Sequence, residues 1–195
     1  MTEVILFPFY FGKILIFRSK KMEEEALAFA TKAHGEQQRK YSEEAYIEHP
    51  KRVANIVKSV PHSAEMICAA YLHDVVEDTP VKIEEVREKF GQKVANLVSE
   101  LTDEYLKVNY PHLNRRTRKE REVQRQANIS KEAKTIKLAD VIDNTPDIVR
   151  NDPGFGRKYL WEMEKLTQVL ISGDPILFER ARKEVAEGKK ALGLK

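Results

Sequence analysis

Apolar residues recur at helical spacing along most of this chain. Ala26, Phe29, Ala30 and Ala33 fall at i, i+3, i+4 and i+7 of a one-faced helix that the pattern starts at Met22. Val53, Ile56 and Val57 continue the periodicity in a segment that opens with Pro50, a residue suited to a first turn. Ser63 precedes the run Ala64–Val76 and can cap it. Val81–Phe90 and Val94–Leu101 form two shorter runs divided by Gly91, a natural helix stop. Arg115–Asn128, Lys131–Val149, Tyr159–Ile171 and Pro175–Leu192 supply four more. Turn signals lie at Asn109–Pro111, Asn151–Gly154 and Gly173–Pro175. No segment outside the amino-terminal tail alternates at period two, and no internal repeat or low-complexity stretch is visible. The pattern predicts one compact all-α domain.

The amino terminus breaks this regularity. Residues 4–17 read VILFPFYFGKILIF, the most hydrophobic stretch of the chain, interrupted by Pro8, Gly12 and Lys13. It is shorter than the roughly 20 apolar residues of a spanning helix, and it lacks the basic start of a signal peptide. Residues 1–21 therefore read as a hydrophobic extension set apart from residues 22–195. It is an element packed on the body or a partner, a weak membrane contact, or a tail upstream of a natural start at Met22. Its apolar surface is compatible with a homodimer.

Composition narrows the class. A chain of 195 residues suits one domain. Charged residues make up 33%, and the mean hydropathy is −0.53, as expected of a protein with a heavily solvated surface. Lys+Arg 34 against Asp+Glu 31 leaves a net charge of +3, too balanced for a nucleic-acid coat yet compatible with a local pocket for a phosphorylated small molecule. Cys68 stands alone in an apolar run, which excludes an intrachain disulfide and a CxxC zinc site, reads as a buried core position and fits a cytoplasmic protein.

The chemistry concentrates in Tyr71–Thr79. On a helix, His73 and Glu77 are four apart, as are Asp74 and Asp78, so two rows of ionisable groups share one face while Ala69, Ala70, Leu72, Val75 and Val76 pack inward. Crowded carboxylates repel one another and resist desolvation, and a metal ion offsets both. Histidine nitrogen with carboxylate oxygen suits a divalent transition metal better than calcium. The plainer reading is an acidic last turn before Pro80, which the helix dipole disfavours. His49 precedes a helix start, where a capping role is the ordinary one. Asp140 lies in an apolar helical run with Lys137 and Asn144 on its own face, and a buried Lys–Asp pair would account for it.

Taken in order, YIEHP, HDVVED and KLADVIDN, preceded by AHGEQQRK, resemble the HD superfamily, and within it the hydrolase domains of RelA/SpoT-like alarmone enzymes and their small relatives, over roughly residues 23–180. The resemblance implies an HD-type bundle of about 8–10 helices. It implies that His49, His73, Asp74 and Asp140 bind a divalent metal, usually manganese, leaving positions for water and a phosphate oxygen. Glu77 and Asp78 would orient and deprotonate the attacking water or handle the leaving group's proton. Arg39 matches a position that contacts guanine, Lys40 and Lys137 would lie near phosphates, and Asn144 would bond the sugar. The implied reaction removes the 3′-pyrophosphate of guanosine tetra- or pentaphosphate, giving GDP or GTP and pyrophosphate. With the chain ending at Lys195 and no synthetase domain following, it would be a stand-alone hydrolase without a nucleic-acid or membrane partner.

One departure stands out. The family continues after its asparagine with an apolar residue and an arginine, whereas here Asn144 is followed by Thr145, Pro146 and Asp147, so a phosphate-binding arginine is missing and a proline enters the helix. The basic stretch Arg115–Arg125 reads as an ion-paired solvated face or as a flap over the pyrophosphate. Tyr159 and Trp161 read as core residues or as a border of the nucleotide. Rival readings are an HD hydrolase of another nucleotide (NADPH, an adenosine alarmone or a nucleoside monophosphate) and a helical RNA-binding module on the Arg115–Arg125 face.

Overall fold

The most apolar internal run of the sequence becomes the centre of the molecule. In the computed structural model, which describes residues 7–40 and 43–194 and the side chains from Arg18 onward, α3 (Ala64–Leu72) buries every residue from Met66 to Leu72. No position in that run carries a charge, so the helix can be enclosed on all sides. Each fully buried Ile or Leu, such as Ile67 or Leu72, contributes roughly 1.5–3 kcal/mol. Ser63 caps α3 as expected, its hydroxyl accepting from the Met66 amide at 3.3 Å. Around α3 pack α1 (Phe7–His34), α2 (Glu48–Lys58), α5 (Ile83–Leu101) and α7 (Lys131–Asn151). The short α4 (Val75–Asp78) follows α3, α6 (Arg115–Gln126) lies on α8 (Pro153–Val169), and α9 (Pro175–Ala191) closes against α7 and α8. Among the described residues there are nine helices and no strand, only an isolated bridge between Gln38 and Ala45. The all-α expectation holds. Cys68 is buried in this core, and burial, with the charges of Glu23 and Glu65, pushes its thiol up to about 12.

Several boundaries differ from the periodic reading. α1 begins at Phe7, so the helix that the pattern starts at Met22 continues upstream of it. Of the separate extension expected over residues 1–21, residues 1–6 and the side chains before Arg18 lie outside the described residues. No helix among the described residues is long and apolar enough to cross a membrane. The run Ala64–Val76 is not one helix. A ring nitrogen of His73 takes up the Ala70 carbonyl at 2.8 Å, and Asp74 relaxes to φ −97°, ψ −9°, so the ladder lapses for two residues before α4. Gly91 interrupts α5 as expected, at φ 85° and ψ 169°, a conformation open to glycine. α8 starts at Pro153, earlier than Tyr159, because the Asp152 carboxylate caps it, accepting from the Phe155 amide at 3.0 Å. α7 runs through Pro146 to Asn151 without ending.

The loop between α8 and α9 presses on α7 at Gly173. A Cβ there would lie 2.8 Å from Leu138 Cδ1, 3.2 Å from the Leu170 carbonyl oxygen and 3.3 Å from the Lys134 carbonyl carbon. Leu138 is fully buried and the other two atoms are backbone, so none can yield freely. Gly173→Ala is expected to lower stability by about 1–3 kcal/mol, read as a lower midpoint of thermal unfolding by circular dichroism. An unchanged midpoint would contradict this packing.

Candidate functional site

Four polar side chains, three of them buried, converge where α2, the α3–α4 break and α7 meet. The first turn of α2 carries His49, whose Nε2 lies 3.2 Å from Asp140 Oδ1 and 3.6 Å from Asp74 Oδ2. His73 Nε2 lies 3.2 Å from Asp74 Oδ2 and 3.8 Å from Asp140 Oδ1. His49, His73 and Asp140 are only 1%, 3% and 8% exposed, so these groups belong to the interior. The lapse in the helix at His73 helps build this arrangement. With Nδ1 donating to the Ala70 carbonyl, the ring presents the lone pair of Nε2 to the carboxylates, and that atom is buried without a hydrogen-bond partner. His49 is oriented the same way from behind by Asp143, whose Oδ2 is 2.7 Å from Nδ1. Arg52 Nε holds Asp143 in turn at 2.7 Å.

The electrostatics ask for a cation at this point. Burial works against a charged His49, yet hydrogen bonds to Asp140 and Asp143 outweigh it and raise its pKa to about 9. Burial likewise opposes ionisation of Asp140, and Lys137, 3.0 Å away, together with His49 holds it well below the usual carboxylate range. Two imidazole nitrogens, one of them orphaned, facing carboxylates within a few ångströms fit a divalent metal. The potential donor atoms of His49, His73 and Asp140 all lie within 4.8 Å of one another.

Glu77 and Asp78 lie on α4, open to solvent. The Tyr46 hydroxyl bridges Asp74 Oδ2 at 2.8 Å and Asp78 Oδ2 at 2.9 Å. One hydroxyl hydrogen cannot serve two ionised carboxylates at once, and Asp78 is the one pushed up, by burial and by Asp74. Gln37 Nε2 donates to the Asp78 carbonyl at 2.9 Å, and its Oε1 is 2.8 Å from His34 Nδ1, tying the end of α1 to α4. Glu77 Oε2 accepts from the Asp103 amide at 3.1 Å. Crowding by surrounding protein and the Asp103 charge raise its pKa to about 7.

The other four expected site residues divide. Lys137 and Asn144 flank Asp140 on α7, Asn144 Nδ2 donating to Asp140 Oδ1 at 2.6 Å. Arg39 joins this chain, its Nη2 donating to Asn144 Oδ1 at 2.9 Å and to Asp147 Oδ2 at 2.9 Å, with its guanidinium 5.9 Å from the Tyr46 ring centre. Lys40 sits farther out, beside Asp152 at 3.4 Å and over the Phe155 ring at 5.5 Å. Sequence reasoning missed Tyr46, Asp103, Asp143 and Asp147. Asp143 is three residues after Asp140 on α7, so helical spacing could have flagged it, whereas Tyr46 lies in the turn before α2.

The basic stretch is an ion-paired helix. Arg115 pairs with Glu162, Arg116 with Glu120, Lys119 with Asp103 and Arg125 with Glu122. Glu122 accepts from the amides of Glu104 and Tyr105 at 3.0 and 3.2 Å, which fastens the loop carrying Asp103. Tyr159 is buried, its hydroxyl 3.4 Å from Thr145 Oγ1, in keeping with its core reading.

A sequence profile described as the HD domain matches residues 26–154. The guanosine-3′,5′-bis(diphosphate) 3′-pyrophosphohydrolase MESH1 of Xenopus tropicalis is 34% identical over 170 residues, covering 85% of this chain and 88% of that protein. MESH1 of Drosophila melanogaster is 38% identical over 150 residues, covering 75% and 78%. A solved structure described as a metazoan ortholog of SpoT that hydrolyzes ppGpp superposes with a TM-score of 0.75 at 31% identity, covering 85% of this chain and 94% of its own.

Asp143 orients His49 from behind the cluster. Asp143→Ala is expected to weaken Mn2+ binding, measured by calorimetric titration, about 10–100-fold, with the helical circular dichroism retained. Unchanged affinity would show that His49 does not depend on this carboxylate.

Proposed function

The chain belongs to the HD-domain family, and from that premise we propose that it removes the 3′-pyrophosphate of guanosine tetra- or pentaphosphate in a manganese-dependent hydrolysis, releasing GDP or GTP and pyrophosphate. The observation that carries the reading is the convergence of buried His49, His73 and Asp140 with half-buried Asp74 around an orphaned imidazole nitrogen, in a chain similar along 85% of its length to MESH1. These four residues would hold the metal. When bound, a divalent cation supplies Lewis acidity that draws charge from a phosphate oxygen.

The chain's own residues do the rest. Glu77, with a pKa of about 7, takes the proton of the attacking water as its oxygen bonds to the phosphorus next to the ribose 3′-oxygen. The bond from that phosphorus to the 3′-oxygen breaks, and Asp78, whose pKa is raised by burial and by the Asp74 charge, hands a proton to the leaving oxygen. Lys137 balances phosphate charge from its place beside Asp140. Arg39, pinned by Asn144 and Asp147, takes the guanine base, and the amide hydrogen that Asn144 has left bonds the sugar. Lys40 meets phosphate at the outer rim. A second reading, an HD hydrolase of another nucleotide, draws support from the Asp147 carboxylate on Arg39 and from Pro146 in place of an arginine.

With Mn2+ and guanosine tetraphosphate, the purified protein is expected to release GDP and pyrophosphate, and a His73→Ala/Asp74→Ala double variant or chelator treatment to abolish release. No release from a folded, metal-loaded protein would remove this substrate, and NADPH, adenosine alarmones and nucleoside monophosphates would be tried in its place.

The pH profile tests the base. Glu77 acts deprotonated, so the rate is expected to rise as pH passes through about 7. The negative charge of Asp103 helps hold that pKa up, so Asp103→Asn is expected to move the acid limb to lower pH, by about half a unit given solvent screening at this open position. A limb that stays put would exclude Glu77 as the group that titrates.

A further inference from the structure

Away from the metal centre, the start of α6 and the first half of α8 border an open pocket of about 500 Å³ lined by Arg115, Arg116, Arg157, Lys158, Trp161 and Glu162. Its wall is braced. The Arg115 guanidinium makes two parallel 2.8 Å bonds to the carboxylate of buried Glu162, the geometry that fixes an arginine most firmly. Trp161 forms another side, with Lys165 Nζ 3.8 Å and the Arg116 guanidinium 5.3 Å from its ring centre.

The charges here do not balance. Glu162 is matched by Arg115, while Glu120 is shared between Arg116 at 3.2 Å and Lys165 at 3.0 Å. Among the described residues, Arg157 and Lys158 have no ion pair or hydrogen bond, and both are exposed. Five cations thus surround two carboxylates. An ordinary solvated helix face relieves like-charge repulsion by interleaving acids, as α6 itself does where Lys119 meets Asp103 and Arg125 meets Glu122. Around the Trp161 pocket the surplus is left in place, on the two helices that border it.

We propose that this pocket is a second anion site, which binds the oligophosphate group of a nucleotide independently of the metal centre. The guanidinium of Arg116, held over Trp161, and the partnerless Arg157 and Lys158 supply the donors that phosphate oxygens require. The site touches the catalytic rim through one ring. Phe155 lies 5.1 Å from the Arg115 guanidinium and 5.5 Å from Lys40 Nζ, so an anion drawing on Arg115 bears on the residue proposed to meet substrate phosphate. The proposal does not depend on which nucleotide the metal centre hydrolyses.

Trp161 is the only tryptophan of the chain, so its emission reports on this pocket alone. The metal-loaded full-length protein would be titrated with GTP and, separately, with inorganic triphosphate, each as its magnesium complex at constant ionic strength. Both are expected to change the emission saturably. Arg157→Ala/Lys158→Ala is expected to weaken both about tenfold, the loss of two charge-assisted phosphate contacts, with the far-UV spectrum and the hydrolysis rate at saturating substrate unchanged. Asp140→Asn, which disables the metal centre, is expected to leave the titration as it was. The proposal is overturned if neither probe changes the emission at millimolar concentration, or if the double variant binds as the parent does. It is also overturned if Asp140→Asn abolishes the response, if GTP acts and inorganic triphosphate does not, or if only an RNA oligomer acts. Because the readout is emission, failure of the hydrolysis assay leaves this test intact.

Discussion

A carboxylate withdrawn from water has to be given positive charge and hydrogen-bond donors, and Asp140 receives both from several directions. Lys137 approaches from one turn back on α7, Asn144 from one turn ahead, and His49 across from α2. Removing one partner from a buried ionic group of this kind costs about 3–5 kcal/mol. Apolar burial is non-directional and does not by itself dictate which polar groups meet. The Asp140 contacts favour the one register of α2 against α7 that brings His49 Nε2 to the carboxylate. Hydrophobic burial supplies the bulk of the stability, and the buried charges select among packings.

The same constraint spreads outward in linked pairs. Asp143 steadies His49 and is steadied by Arg52, which also reaches Glu44. Asn144 passes the Asp140 contact on to Arg39, and Arg39 passes it to Asp147. On the other side, Tyr46 ties Asp74 to Asp78, and Asp103, fastened through Lys119 and the Glu122 loop contacts, meets Glu77. Residues so connected do not contribute independently, and substitutions along one chain of contacts should combine non-additively. α6, whose charges read as a surface feature, belongs to this scaffold through its inward face.

What could be read in the sequence was whatever depends on spacing along one element. Helical periodicity found the core faces of α1, α2, α3 and α7. The caps at Ser63 and Gly91 behaved as their chemistry dictates. The motif residues His49, His73, Asp74 and Asp140 do converge. What escaped depends on partners from elsewhere in the chain, or on competition within one turn. The α3–α4 break follows from a side chain taking a backbone carbonyl, which the apolar pattern of Ala64–Val76 does not register. The early start of α8 was signalled by Asp152–Pro153, a cap and first-turn pair that also reads as a turn. Arg115 could be known as paired only once Glu162, 47 positions away, was beside it.

The segment after Asn144 shows how a local change redistributes charge at the site. A proline inside a helix lacks the N–H that would bond the carbonyl four residues back, a loss of about 3 kcal/mol in an isolated helix. α7 nonetheless continues through Pro146, held between α8, α9 and α2. Proline cannot carry the cation that the resemblance expects there, and the next residue brings the opposite charge. Asp147 places that charge on Arg39, 2.9 Å away, so part of the positive potential of Arg39 is already satisfied within the protein. Under the proposed reading, Arg39 then serves the base through its plane more than the phosphates through its charge. The cationic demand of a bound pyrophosphate falls on Lys137 and Lys40. Lys137 is committed to Asp140, and Lys40 lies against Phe155 at the edge of the Arg115 ring contact. Under the same reading, the phosphate charge has to be met by cations that already have carboxylate partners, Lys137 by Asp140 and Lys40 by Asp152, so binding exchanges one ion pair for another.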